Sequence, residues 1–188
     1  FISLLITLVV CGSCYGSPAP EGETITIAVA SNFSGVMPKI ANNFEAVSGH
    51  QVRLAFGSSG KFFAQINNGA PFQAFFSADQ AKPEALVKSG LALAESRFTY
   101  ARGNLALWSK EPGRVDNRGL ILTQQQYKTL ALANPRFAPY GVAAVEVLQP
   151  MGIKQQSENK WVMGENIAQT YQFVATGNAD LGFVALSQ

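Results

Sequence analysis

Charge is scarce in this chain: Asp, Glu, Lys and Arg make up 14% of its 188 residues, where soluble globular proteins average ~25%. The 14 basic and 12 acidic residues nearly cancel to a formal net charge of +2. They form no run of one sign, which removes the clustered basic face that nucleic-acid binding requires. Histidine occurs once, at His50, and cysteine twice, at Cys11 and Cys14. With one His and no clustered carboxylates, the sequence offers neither a metal centre nor a nucleophile with its base, and so no catalytic residue. The two cysteines form a CxxC pair, but no βαβ pattern follows it directly. The pair is therefore read as part of an N-terminal segment, not as a redox or zinc motif.

No apolar run reaches the ~20 residues that a transmembrane helix needs. The opening FISLLITLVVCGSCYGSPAPEG (1–22) has about ten apolar residues followed by small and polar ones, the layout of a secretory signal's h-region and cleavage region. Neither an initiator Met nor a basic n-region precedes it. The segment is thus expected to be a partial signal peptide, and the protein to be exported to the periplasm, peripheral to the membrane. Val10 stands where a lipoprotein cysteine would need a small residue, which makes a lipid anchor at Cys11 the weaker alternative. The mature chain would then have no cysteine and no disulfide.

What the chain does have is apolar material, 47% of its residues, arranged in alternating strand-like and helix-like stretches. ITIAVA (25–30) reads as a buried parallel strand. After SNFSG, the apolar positions Val36, Ile40, Phe44 and Val47 fall at spacings of four, four and three, the helical period, and Gly49 stops that helix. QVRLAFG (51–57) alternates as a strand, a helix with Phe62, Phe63 and Ile66 runs to Gly69, FQAFFSA (72–78) is a third strand, and a helix covers 80–89 with Pro83 in its first turn. This βαβαβα order implies a parallel sheet with right-handed crossovers. RGNLALWSK (102–110) reads as a crossing strand and SKEPGRVDNRG as a surface loop. A second series follows: a strand at LALAN (130–134), a helix with Val142, Val145, Val147 and Leu148, a strand at WVMGE (161–165), a helix from Asn166 to Gly177, and a strand at DLGFVALS (180–187). The expected architecture is α/β with two open lobes, 25–101 and 102–188. Ending on an apolar strand, the chain is expected to stop before both lobes are complete.

In open α/β sheets ligands bind beyond the carboxyl ends of the strands, at helix N-termini. Four loops have that position and polar content: Ser31-Asn32, Gly57-Ser58-Ser59-Gly60, Pro139-Tyr140-Gly141 and Glu165-Asn166-Ile167. None is basic. Helix N-termini carry unpaired N–H groups and about half a positive charge each, so a small dianion can be held there by neutral donors. FGSSGKF (56–62) is not a nucleotide loop, because Ala55 replaces the first Gly of a Walker motif and Phe62 its terminal Ser or Thr. Lys61, just inside a helix, reads as a solvated surface charge, and His50 as a structural loop residue. Ser31, Asn32 and Asn166 each also suit a simple helix cap, Pro139 a helix start, and Trp108 and Trp161 the core. A secreted hydrolase using Ser58 or Ser59 would need a base that the sequence does not supply.

VASNFSGVMPKIANNFE, FGSSGKFFAQINNGAPFQAFFSADQAKPEALVKSG, NPRFAPYGVAAVEVL and GENIAQTYQFVATGNADLGFVALSQ together closely resemble the periplasmic molybdate-binding proteins of ABC importers, from about Ile25 onward. GAPFQAFFSAD is similar to that family's GAP-x-D-x-F-x-SAD signature. The resemblance implies a type II periplasmic binding fold, two lobes joined by a hinge. It implies a molybdate or tungstate ligand and no other cofactor or free metal ion, with a membrane permease as partner of a monomeric protein. Carried over by position, oxyanion contacts are expected from Ser31, Asn32 and Ser59, with Tyr140 and Ile167 acting through backbone N–H groups and Ser58 as second choice. One branch of the family places a tyrosine ligand where this chain has Ala185, and Asn32 is expected to compensate. Phe72 and Gln73 replace the commoner Ala-Asp. The family's chain also crosses back to the first lobe after GFVALS, through roughly 50–60 further residues. Sulfate or phosphate remains an alternative ligand by the same physics.

Overall fold

The computed structural model describes residues 22–188. The expected signal segment and both cysteines lie outside the described residues. The first sheet is parallel, with β1 (Thr24–Ala30) between β2 (Gln51–Gly57) and β3 (Ala74–Phe76). As the middle strand, β1 is covered on both faces, so Ile27, Ala28, Val29 and Ala30 are buried in succession, a continuous apolar run rather than an alternating one. Three helices belong to this lobe: α1 (Met37–Ser48), α2 (Ser59–Asn67) and α3 (Ala81–Lys88). Gly49 closes α1 with φ of 76°, the left-handed cap its position predicts.

The helix read from the spacing of Val36, Ile40, Phe44 and Val47 is α1. Among the described residues its buried members are Met37 and Ala41, while those four are 45%, 46%, 43% and 83% exposed. Met37 and Ala41 each lie one residue beyond a member of that stripe, ~100° further round the helix. Phe44 is partly covered by the His50 ring at 6.2 Å. His50 Nδ1 accepts the Glu23 N–H at 3.0 Å, so the lone histidine has the structural role expected of it.

Strand β3 is shorter than the predicted 72–78. Gln73 continues the pairing by other means: its N–H donates to the Thr26 carbonyl at 2.9 Å, and its side-chain oxygen accepts the Thr26 N–H at 2.7 Å. Phe72 packs edge-on against Phe62 at 5.4 Å. The two departures from the usual Ala-Asp thus serve the edge of the first sheet.

The connection at 97–104 has no regular structure. The predicted crossing strand is confined to β4 (Leu105–Trp108), which lies wholly in the second sheet. That sheet also holds β5 (Leu130–Ala133), β6 (Trp161–Gly164) and β7 (Leu181–Ala185) in the order β4-β7-β5-β6, with β7 antiparallel to β4 and parallel to β5. Its helices are α4 (Leu120–Thr123), α5 (Pro139–Leu148), α6 (Lys154–Ser157) and α7 (Ile167–Ala175). The single turns α4 and α6 are too short for hydrophobic periodicity to reveal. The second core joins Ile121, Leu122, Tyr127, Leu130, Leu132, Ala144, Leu148, Ile153, Leu181 and Phe183. Asp180 ties its loops: the carboxylate accepts the Lys128 and Thr129 N–H groups at 2.6 and 3.2 Å, and its carbonyl accepts the Ser109 hydroxyl at 2.8 Å. Trp108 stacks on Tyr171 at 5.1 Å, and Trp161 Nε1 donates to Ser157 Oγ at 3.0 Å, so both tryptophans pack as expected.

Candidate functional site

Four chain segments that are far apart in sequence end against one another between the two sheets. They are the 3-10 turn after β1 and the N-terminal turns of α2, α5 and α7. They surround a small cavity of about 10 Å³ lined by Ser31, Asn32, Ser58, Ser59, Tyr140 and Ile167, together with the small residues Ala30, Gly57, Ala78 and Ala138, and with Pro139 and Asn166. All six residues singled out by sequence therefore meet at one place. The space is far below the ~300–1,000 Å³ of organic-ligand pockets and leaves no room for a nucleotide.

The local sequence explains each wall. Ser59, Tyr140 and Ile167 fall in the first turns of α2, α5 and α7, where backbone N–H groups have no acceptor within the helix. Pro139 opens α5, a position where its missing N–H costs nothing. None of the three helices has an acidic residue in its first turn, so their positive ends are not neutralised from within. Among the described residues no charged side chain lines the cavity. Its positive potential comes from dipoles and N–H groups alone, about half a charge per helix.

The hydroxyls and the amide complete the donor set. Ser59 is 1% exposed, and its Oγ accepts the Ala78 N–H at 2.9 Å. Its own proton is then free to donate into the cavity. Ser31 Oγ accepts the Ala168 N–H from α7 at 3.4 Å, a contact between lobes. Ser58 Oγ and Asn32 Oδ1 are buried without a hydrogen-bond partner. Two unpaired polar groups in one small cavity carry a desolvation cost that an occupant bonded to them would remove. The Asn32 amide can present either its oxygen or its NH2 by a flip of the side chain. Asn166 serves as a cap: its Oδ1 accepts the Gln169 N–H at 3.0 Å. Ala185, at the position where one branch of the resembled family has tyrosine, is buried against Ala133, Ala138, Tyr140 and Ile167.

Two tyrosines link the site to the connection between lobes. Tyr140 is buried, which pushes its phenol up from its ordinary value. Tyr100, in the 97–104 segment, is pushed up to about 12, first by burial and then by Tyr140. Its hydroxyl donates to the Ser77 carbonyl at 2.8 Å, and its ring packs on Phe33 and Phe76 at 5.3 and 5.1 Å. Both phenols remain neutral donors at ordinary pH.

Residues 25–188 match the family described as bacterial extracellular solute-binding protein. The chain belongs to that family. Among its relatives, the molybdate-binding protein ModA of Azotobacter vinelandii is 52% identical over 170 residues, 90% of this chain and 68% of that protein. ModA of Rhodobacter capsulatus is 48% identical over 171 residues, 91% of this chain and 67% of its own length. The solved structure of the Azotobacter vinelandii periplasmic molybdate-binding protein superposes with a TM-score of 0.83 at 44% identity, covering 86% of this chain and 71% of that one. The two-lobed α/β architecture is thus that of a periplasmic solute-binding protein.

One residue set aside by sequence is engaged in this solute-binding protein. Lys61, expected to be a solvated bystander, pairs with Glu165 of the other lobe at 2.8 Å. Sequence reading could not find that partner, because 104 positions separate the two and no local period links them. Ala78, which supplies the N–H that orients Ser59, was also missed as a site residue. Its only signal was its place inside the SAD of GAPFQAFFSAD.

Proposed function

We propose that this chain captures molybdate or tungstate outside the cytoplasm and delivers it to the permease of an ABC importer. The observation that carries this reading is the convergence of three helix N-termini and the unpartnered Ser58 and Asn32 side chains on one small cavity without lining charges. A tetrahedral dianion fits such a site because its charge is met by several neutral donors, each charged hydrogen bond contributing about 1.5–3 kcal/mol. The names of the relatives from Azotobacter vinelandii and Rhodobacter capsulatus support molybdate over other oxyanions. In this reading the side chains of Ser31, Asn32 and Ser59 and the backbone N–H groups of Tyr140 and Ile167 hold the oxyanion, with Ser58 beside them. Contacts from both lobes favour a closed cleft when it is filled.

The protein acts by binding and not by turnover. A serine nucleophile would need a base at Ser59, and His50 is engaged with the Glu23 N–H instead. Isothermal calorimetry on the full-length protein tests the reading, with molybdate, tungstate and sulfate titrated in competition. Tight molybdate binding, weakened by about 1–3 kcal/mol in Ser59→Ala, is the expected result. Sulfate binding more tightly than molybdate would move the assignment to the alternative oxyanion, and no heat with any of the three would overturn it.

A further inference from the structure

Beyond the cavity itself, the N-terminal turn of α2 reaches lobe two through a second set of contacts, made by residues outside the cavity lining. The Gly60 N–H donates to the Phe137 carbonyl at 2.8 Å. A Cβ at position 60 would lie 2.7 Å from that oxygen and 2.9 Å from the Phe137 Cα, so only glycine allows the two backbones to approach this closely. One residue on, Lys61 Nζ pairs with Glu165 Oε1 at 2.8 Å and sits 5.9 Å from the centroid of the Phe137 ring. These residues flank the cavity walls in sequence: Lys61 is two positions after Ser59, and Glu165 directly precedes Asn166. Both side chains are nearly half exposed, which places the pair at the rim.

We propose that Gly60, Lys61, Phe137 and Glu165 form a latch across the rim that sets how long the closed cleft keeps its ligand. The inference rests on the oxyanion-binding reading for its ligand, and on the contacts between lobes for its mechanism. Opening the cleft must break the Gly60 to Phe137 hydrogen bond and separate Lys61 from Glu165, while none of these groups lines the cavity. Their loss therefore speeds release more than it slows capture. Lys61 also neutralises Glu165, a carboxylate next to the N-terminus of α7 that would otherwise repel a dianion close by. The pair is exposed, so its effect falls as salt screens it.

The test is stopped-flow release of molybdate from the full-length protein, beside a distance measurement between spin labels on α3 and α6 without ligand. Lys61→Met is expected to raise the release rate two- to fivefold at low salt, with less effect at high salt, an unchanged melting temperature and a larger open population. Gly60→Ala is expected to raise release at least tenfold. The charge swap Lys61→Glu with Glu165→Lys should restore most of the wild-type rate. Lys154→Met, which removes an ion pair inside lobe two with Glu158 at 3.7 Å, should leave release unchanged. Wild-type release rates in both Lys61→Met and Gly60→Ala, with unaltered label distances, would overturn the latch. If the wild type binds no molybdate, the oxyanion reading fails, and the label distances alone decide the latch: a larger open population in both variants supports it, and unchanged distances overturn it.

Discussion

The two lobes are built on the same alternation of strand and helix, yet they are held together differently. Lobe two closes around ten mutually packed buried residues, from Ile121 to Phe183. Among the described residues, the cluster of lobe one has three buried members, Ile27, Val29 and Met37, with partly buried neighbours around them. It also carries specific links: Gln73 side-chain pairing to Thr26, the Tyr100 anchor on Ser77, and contacts to α7 and Phe137 across the cleft. Lobe two is thus a packing problem solved locally. Among the described residues, lobe one shows more of its links as single hydrogen bonds and contacts to its neighbour.

The contrast can be broken most directly in the larger core. Leu148 is fully buried, so Leu148→Ala should cost ~2–5 kcal/mol in urea denaturation. A cost below that of any single lobe-one change would refute the comparison. Gln73→Leu removes the acceptor for the Thr26 N–H and should cost ~0.5–1.5 kcal/mol, read by the same denaturation and by faster amide exchange along β1 than along β5. Tyr100→Phe tests the anchor through pH. Because folding raises the Tyr100 phenol to about 12, its contribution is intact below the ordinary value near ~10 and is lost as pH climbs through the raised one. The wild type should lose stability over that alkaline window, and Tyr100→Phe should lose less of it. The smallest effect is expected on the exposed side of α1, where Val47→Ser should shift stability by no more than ~0.5 kcal/mol, measured by thermal melting.

Much of lobe one and of the cavity lining is legible in the sequence. Gly49 marked the end of α1, the strand at 25–30 read as doubly covered, and polar loops after strands marked the cavity walls. The stripe Val36, Ile40, Phe44 and Val47 marked α1 by its period, but a period carries no phase, and Met37 and Ala41 are the buried residues of that helix among those described. Strand β3 read too long because Gln73 pairs through its side chain, which mimics a strand without extending one. The turns α4 and α6 lie below the length at which periodicity can be seen.

What the sequence determined by itself was local: where strands and helices alternate, where glycine stops them, and which loops offer hydroxyls and free N–H groups without charge. These properties follow from neighbours a few residues apart, where side-chain size and backbone preference act directly. Tertiary structure decided what depends on distant pairs. It brought Ser31, Ser59, Tyr140 and Ile167 onto one cavity, left Ser58 and Asn32 without partners beside them, and set Lys61 against Glu165 across the rim. A helix N-terminus is an anion site only where something encloses it, and enclosure is a property of two lobes meeting.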